Sequence, residues 1–268
     1  MNLLIAPFVN ALFGFYYLVG NLGWSVVLVT VVIRLILMPL VVPSLRSAKK
    51  MNELQPKLKK LQQQYGKEKE KLAKAQMDLY KAEGINPLSG CLPQLLQVAV
   101  LIIFFSAFNM VTNYSIGKGK LADINKQLIP SFQIKDDFKF STNFMGSQLS
   151  ATPSKVFSKG VGMDLVLPLV LLIGSAALQY FSSKLMMPAS AKATAGKPAV
   201  DQSAYTKATP EKGDDMMEAM RTQSLYMMPL MTVVIGWNFS LGILLYWFVN
   251  SAVMLGQQLV MGNMNKKS

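Results

Sequence analysis

An all-α membrane protein with five transmembrane helices is the fold class this sequence predicts, and three observations predict it. Apolar runs of about the length that crosses a bilayer recur along the chain. Only 15% of the 268 residues are charged, and mean hydropathy is +0.32, whereas soluble domains carry about 25% charged residues. The 27 Lys and Arg residues, with one exception, lie between or after the apolar runs and not inside them.

The N-terminal stretch 1–21 contains LLIAPFVNALFGFYYL. It has no basic n-region and no small-residue cleavage site, so it does not read as a signal peptide. Gly20 and Gly23 separate it from the next run, leaving too short a hinge for two consecutive spans. It is therefore expected to be an amphipathic helix lying in the membrane interface, with Tyr16 and Tyr17 at head-group depth.

The first span is expected over 22–42, LGWSVVLVTVVIRLILMPLVV, which holds a single charge, Arg34. A guanidinium near the centre of a membrane helix costs about 2.5–3.5 kcal/mol on insertion scales. The one acid in another apolar run is Asp164, at the outer edge of 163–183, so Arg34 has no obvious counter-ion. Such a cation is expected to face water or a passing polar ligand.

Residues 43–92 form a different kind of segment. Met51, Leu54, Leu58, Leu61 and Tyr65 recur at spacings of three and four, as do Leu72, Ala75, Leu79 and Ala82. That heptad pattern predicts an antiparallel coiled-coil hairpin turning at Tyr65–Lys67, with Pro56 delimiting the first arm. The segment carries 11 basic and five acidic residues. A solvated face accounts for that charge, and so does a docking surface for anionic lipid or a ribosome-associated partner.

Further spans are expected over 93–113, 163–183, 224–238 and 241–261. The 224–238 run is short, which implies a thin local bilayer or a partly buried helix. It is followed within a few residues by the last run, so the two form a tight antiparallel pair. The connecting segment 114–162 is polar with some aromatics, and its composition fits either a short helix or irregular structure. Segment 184–223 contains the Ala-, Pro- and Lys-rich stretch 188–215, whose composition predicts a mobile loop. Residues 262–268 form a tail.

Charge fixes the expected orientation. Lys and Arg number 11 in 43–92, six in 184–223 and two in the tail, against seven in 114–162. Alternating spans place the first three on one face, and the positive-inside rule assigns that face to the cytoplasm. The N-terminus then lies outside and the C-terminus inside.

Several polar residues fall at membrane depth. Thr30 is one turn from Arg34 on the same face. Gln97, Ser106 and Asn109 lie in the second run, Gln179 in the third, and Asn250, Ser251, Gln257 and Gln258 in the last. Each alone reads as an interhelical hydrogen bond contributing roughly 0.6 kcal/mol. Together with an unpaired arginine they predict a wet, cationic cavity among the helices. The 18 methionines fit plain packing, or flexible surfaces that meet many apolar partners.

The chain has no His and a single Cys, and it shows no phosphate-binding glycine loop. It therefore carries no His/Cys zinc site, no Cys–His catalytic pair and no internal disulfide. It is not read as an enzyme, and no cofactor is expected. An ion or proton path would normally place carboxylates or His in the membrane, and an alternating-access transporter would show inverted repeats. A natural ligand for a cationic notch is the polar part of a polypeptide entering the bilayer. A small-solute channel or transporter, and a structural assembly subunit, remain the alternatives.

Three blocks resemble the YidC/Oxa/Alb family of membrane insertases. They are VGNLGWSVVLVTVVIRLILMPL (19–40), the pair LQPKLKKLQQQYG (54–66) and LYKAEGINPLSGCLPQLLQ (79–97), and MMPLMTVVIGWNFSLGILLYWFVNSAVMLGQQLVM (227–261). The resemblance implies a five-helix core around a hydrophilic groove open to cytoplasm and lipid. It implies movement of nascent membrane proteins into the bilayer without ATP. Its implied partners are nascent membrane proteins, the lipid bilayer, and also a Sec translocon and the ribosome, with no DNA and no small-molecule substrate.

By position, Arg34 matches the groove arginine, Thr30 a polar groove residue, and Trp247 the aromatic facing the substrate path. Gln97, Gln179 and Asn250 are expected to complete the groove. From the residues alone, Trp247 reads rather as a packing or interface aromatic, and Cys91 as a small buried residue. The chain departs from some members in showing no large outer domain, no lipoprotein signal and no long basic tail. Its turn WNFSLG also replaces the more usual Pro-Ser-Gly type.

Overall fold

The computed structural model describes residues 2–65, 68–84, 92–135, 138–160, 162–186 and 223–264. Cys91, the stretch 188–215, the hairpin turn at Gly66–Lys67 and the last four residues lie outside them. The fold is helical. Among the described residues four helices are long and apolar enough to cross a membrane, over Leu22–Ser47, Leu95–Ser115, Met163–Met186 and Leu241–Met261.

Helix α1 spans Asn2–Val19. Ile5, Val9, Leu12, Phe13 and Tyr16 line one of its faces and are buried, the spacing of a helical stripe. Gly20 adopts φ +65°, a left-handed conformation natural to glycine, and it ends the helix. The two tyrosines part here. Tyr17 is 49% exposed, but Tyr16 is 8% exposed. Its ring meets Phe138 and Phe140 at 5.9 and 5.3 Å, and its hydroxyl accepts a hydrogen bond from Ser141 N at 2.8 Å. Tyr16 is a core residue because segment 116–162 folds over it.

Helix α2 runs unbroken over Leu22–Glu53 through Pro39 and Pro43. It therefore continues well past the expected span end at Val42. Each proline removes one N–H donor, a loss that membrane helices tolerate. The continuous helix ends one residue before α3, Gln55–Tyr65. Pro56 stands in the first turn of α3, where a missing N–H costs least. It delimits the arm, as its position in the sequence indicates.

Helix α4 covers Lys69–Ala82 and packs against α3. Leu54 and Leu58 are buried there against Met51, Leu79 and Tyr80. Lys57 and Glu83 form an ion pair across the same end. Apolar contact is thus concentrated at the open end of the hairpin, and α4 has no fully buried residue.

Helix α5 is Leu92–Ser115. Segment 116–162 then holds a short helix α6 (Leu121–Asn125), a two-stranded antiparallel hairpin β1 (Asn143–Phe144) and β2 (Ser147–Gln148), and a short helix α7 (Pro153–Phe157). This segment caps the bundle. Leu22 N donates to Ser141 O at 3.0 Å, Leu241 N to Ala151 O at 2.8 Å and Gly242 N to Leu149 O at 3.0 Å. Asn21 Oδ1 accepts from Gly23 N. Helix N-termini leave unpaired donors, and here loop carbonyls satisfy them. Phe140 and Phe144 are buried on the same cap.

Helix α8 spans Val166–Met186. After it, Gln223–Met227 forms a π-helical turn that leads into α9, Met228–Gly236. At about 1.5 Å per residue, the nine residues of α9 reach less than half of a ~30 Å hydrocarbon core. The final helix α10 is Leu241–Met264. It packs extensively on α8 and α2.

Candidate functional site

The polar residues at membrane depth separate into two groups. The first surrounds Arg34. Thr30, Ile33, Arg34, Leu37 and Val41 present one stripe of α2, which faces Leu96, Gln97 and Val100 of α5 and Tyr246 and Asn250 of α10. Positions 30, 34, 37 and 41 share a helical face, as do 246 and 250. The cavity they enclose measures about 20 Å³, room for about one water molecule.

Arg34 is 9% exposed. Its Nε donates to Asn250 Oδ1, and its Nη2 donates to Gln97 Oε1 at 2.8 Å. Gln97 Nε2 in turn donates to the Tyr246 hydroxyl at 3.2 Å. Gln257 Nε2 reaches the Arg34 carbonyl at 3.5 Å. The arginine is therefore held, not free as the sequence leads one to expect. Its holders are neutral amides, which fix the guanidinium and leave its charge uncancelled. Two of its five N–H donors are used in this way. Among the residues lining the cavity there is no Asp or Glu. Thr30 is buried and donates to Val26 O at 2.6 Å, so its hydroxyl is occupied by its own helix.

The second group lies apart from the cavity. Gln179 accepts a hydrogen bond from Thr232 Oγ1 at 2.8 Å, joining α8 to α9. Ser182 Oγ donates to Gln258 Oε1 at 2.7 Å, joining α8 to α10. Gln179 is thus an interhelical tie and not a wall of the Arg34 cavity. Trp247 is also absent from the lining. Its ring lies 6.2 Å from that of Phe239. One residue advances a helix by about 100°, so Tyr246, one turn from Asn250, takes the inward position and Trp247 turns away.

Sequence reasoning missed Tyr246 and the stack it joins. The ring lies 4.2 Å from Phe104 at an interplanar angle of 15°, and Phe104 stacks on Phe108 at 5.7 Å. This column stands between the Arg34 cavity and segment 116–162. A polar neighbour and full burial are what mark Tyr246, and neither is visible in a run of apolar letters. Among the described residues no group of three or more acids or thiols is placed to hold a metal ion.

Comparison with known proteins places the chain in a family. The family model of the 60Kd inner membrane protein matches residues 14–268. A membrane protein insertase YidC from Streptomyces avermitilis is 28% identical over 243 residues, covering 88% of this chain and 50% of that protein. One from Legionella pneumophila is 31% identical over 244 residues, covering 91% of this chain and 32% of that protein. One from Helicobacter pylori is 45% identical over 98 residues, covering 37% of this chain. The chain thus spans a third to a half of the first two of these relatives. The family match takes in the last third of α1 and all of the helices that build the Arg34 cavity, α2, α5 and α10; the chain belongs to the 60Kd inner membrane protein family.

Proposed function

We propose that this chain inserts nascent membrane proteins into the bilayer, using the Arg34 cavity as a transient site for polar segments in transit. The observation that carries this reading is the buried guanidinium held, among the described residues, by neutral amides. A cation paired with an acid would already be neutralised. Here the charge stays available to an acidic or polar stretch of an incoming polypeptide, in surroundings that weaken screening.

The cavity at about 20 Å³ is the resting form, and a polypeptide widens it. Helix α5 packs only sparsely on α2, and its Phe104 and Phe108 hold the other end against α10, so the end at Gln97 is the wall that yields, giving a hydrophilic groove open to lipid. Burial of the client's own apolar helix, at about 25 cal/mol per Å², supplies the driving force without ATP. In this reading α9 with its preceding turn serves as the fifth, shortened span. The hairpin α3–α4 is a coiled coil on the cytoplasmic face, with the N-terminus outside and the C-terminus inside. Sec translocon and ribosome are working partners, the latter approached through the basic hairpin.

The test is reconstitution in liposomes with a single-span client whose translocated segment is acidic, read by protease protection. Arg34→Ala is expected to reduce insertion, and Arg34→Lys to reduce it less. Insertion by Arg34→Ala at the wild-type level sinks the electrostatic role. Solute flux without client insertion favours a channel instead.

A further inference from the structure

Met145 is the one residue other than glycine that takes a positive φ among the described residues, at +50°. It stands at the tip of the β1–β2 hairpin, where Phe144 pairs with Ser147 and Gly146 follows at φ +83°. A two-residue turn with both φ values positive favours Asn, Asp or Gly at its first position. A methionine there is strained. Packing within the chain does not offset the strain, because Met145 is 74% exposed. A strained backbone that presents an apolar side chain to the outside calls for something there to cover it.

The hairpin is fastened where two membrane-spanning helices begin. At the start of α2, Asn21 Nδ2 donates to Asn143 O at 2.8 Å and Leu22 N to Ser141 O at 3.0 Å. Just before α8, Ser147 Oγ donates to Asp164 O at 3.5 Å. A Cβ at Gly23 would lie 2.2 Å from the Phe144 ring, so β1 rests directly on the first turn of α2. The ends of spanning helices lie at head-group depth, and the hairpin is held at that depth. Trp24 meets Phe144 edge-on at 5.5 Å and is itself exposed, an indole placed where interfacial aromatics belong. The exposed apolar surface continues from Trp24 along α2 through Val32 and Leu35, and from Met163 into α8 through Val166. Residues 140–154 hold no charged side chain, although seven lysines lie elsewhere in 114–162. The tip therefore leaves water without stripping a charge of its hydration.

We propose that the β1–β2 hairpin is a membrane anchor, with Met145 dipping into the interface of the leaflet on its own side. The partner is the lipid surface itself, entered by an uncharged apolar tip and so without preference for head-group charge. The anchor fixes the cap against the bilayer beside the first turns of α2 and α8. It is independent of the Arg34 cavity and of the insertion reading.

The full chain in nanodiscs of phosphatidylcholine and phosphatidylglycerol tests it. The single native thiol is removed by Cys91→Ser, and a nitroxide is attached through Met145→Cys. A control label is attached through Lys120→Cys, at an exposed position of the same segment. Oxygen concentrates in lipid and a nickel chelate stays in water. The ratio of their collision rates is expected to be severalfold higher at 145 than at 120, and the same in nanodiscs of phosphatidylcholine alone. A ratio at 145 no higher than at 120 overturns the proposal and leaves the tip as a surface for a protein. The native side chain is read by methyl NMR, with the Met145 signal assigned by its loss in Met145→Leu. That signal is expected to broaden with a doxyl-labelled lipid and to be spared by a soluble gadolinium chelate. The reverse pattern overturns the anchor whatever the labelled variant does.

Discussion

Arg34 Nη2 and Gln97 Oε1 lie 2.8 Å apart, and this hydrogen bond ties α2 to α5 at the one cavity where a cation is buried. The two helices otherwise touch little. A hydrogen bond to a charged group contributes about 1.5–3 kcal/mol, so this contact is a large part of what joins α5 to α2. The amide also reaches the Tyr246 hydroxyl, so a single side chain joins three helices while leaving the arginine charged.

Gln97→Glu separates holding the arginine from leaving it charged. The carboxylate keeps the geometry and adds an ion pair, so thermal stability is expected to hold or rise. The charge of Arg34 is then neutralised, and insertion of acidic clients should fall to the level of Arg34→Ala. Gln97→Leu leaves the guanidinium short of an acceptor and is expected to destabilise by about 1–3 kcal/mol. Normal insertion of acidic clients by a stable Gln97→Glu protein contradicts the proposed role.

The aromatic column gives a prediction about packing. A Cβ at Gly242 would sit 1.8 Å from Phe108 Cζ, and Phe108 is fully buried with Phe104 stacked on it. The ring has no space to retreat into. Gly242→Ala is expected to destabilise by about 1–3 kcal/mol through overpacking, read as a lower melting temperature in detergent. Gly256 lies in the same helix with nothing within 4 Å of its Cβ position. Gly256→Ala should be neutral or stabilising by up to about 1 kcal/mol through helix propensity. Equal losses at both sites would rule out the packing explanation.

How much of this was readable in advance follows from what each residue's partners are. Arg34, Gln97 and Asn250 stood out because polar letters in apolar runs must find one another, and they do. Gln179 stood out on the same ground, but its partner Thr232 lies on a different helix pair, and letters alone do not say which helices adjoin. Trp247 and Tyr246 are adjacent in sequence and 100° apart on the helix, so choosing between them requires knowing which face is inward. The cap over the bundle was the least legible part. Its aromatics Phe138, Phe140 and Phe144 share an even spacing, yet of the three only Phe144 lies in a strand. Phe140 and Phe144 are buried, and Phe138 partly so, because carbonyls of Ser141, Leu149 and Ala151 answer the free donors of two helix N-termini, a demand set far away in the chain.

Asn10 tests how firmly that cap is anchored to α1. Its Nδ2 donates to Gln127 O at 2.7 Å and its Oδ1 accepts from Ile129 N at 2.8 Å. Asn10→Ala leaves both backbone groups without this partner, at about 1–3 kcal/mol for each group that stays buried. Hydrogen exchange at the Ile129 amide is expected to speed up by at least about tenfold, which corresponds to 1.4 kcal/mol. An unchanged exchange rate would mean that the cap holds without α1.

The hairpin offers two contacts of different kinds, and they should not weigh equally. Lys57 and Glu83 pair with side chains 58% and 36% exposed, and exposed pairs contribute about 0–1 kcal/mol. Leu58 is 3% exposed and packs with Leu79 and Tyr80; truncating a buried leucine costs about 2–5 kcal/mol. Glu83→Gln is therefore expected to leave hydrogen exchange of the α4 amides unchanged, while Leu58→Asp opens the hairpin and removes their protection. If the hairpin docks a partner of the insertion reaction, Leu58→Asp also lowers client insertion in membrane vesicles with translating ribosomes. Deletion of residues 190–213 should then leave it near normal. Wild-type insertion by an unprotected Leu58→Asp hairpin would show that the hairpin's fold is not what insertion requires.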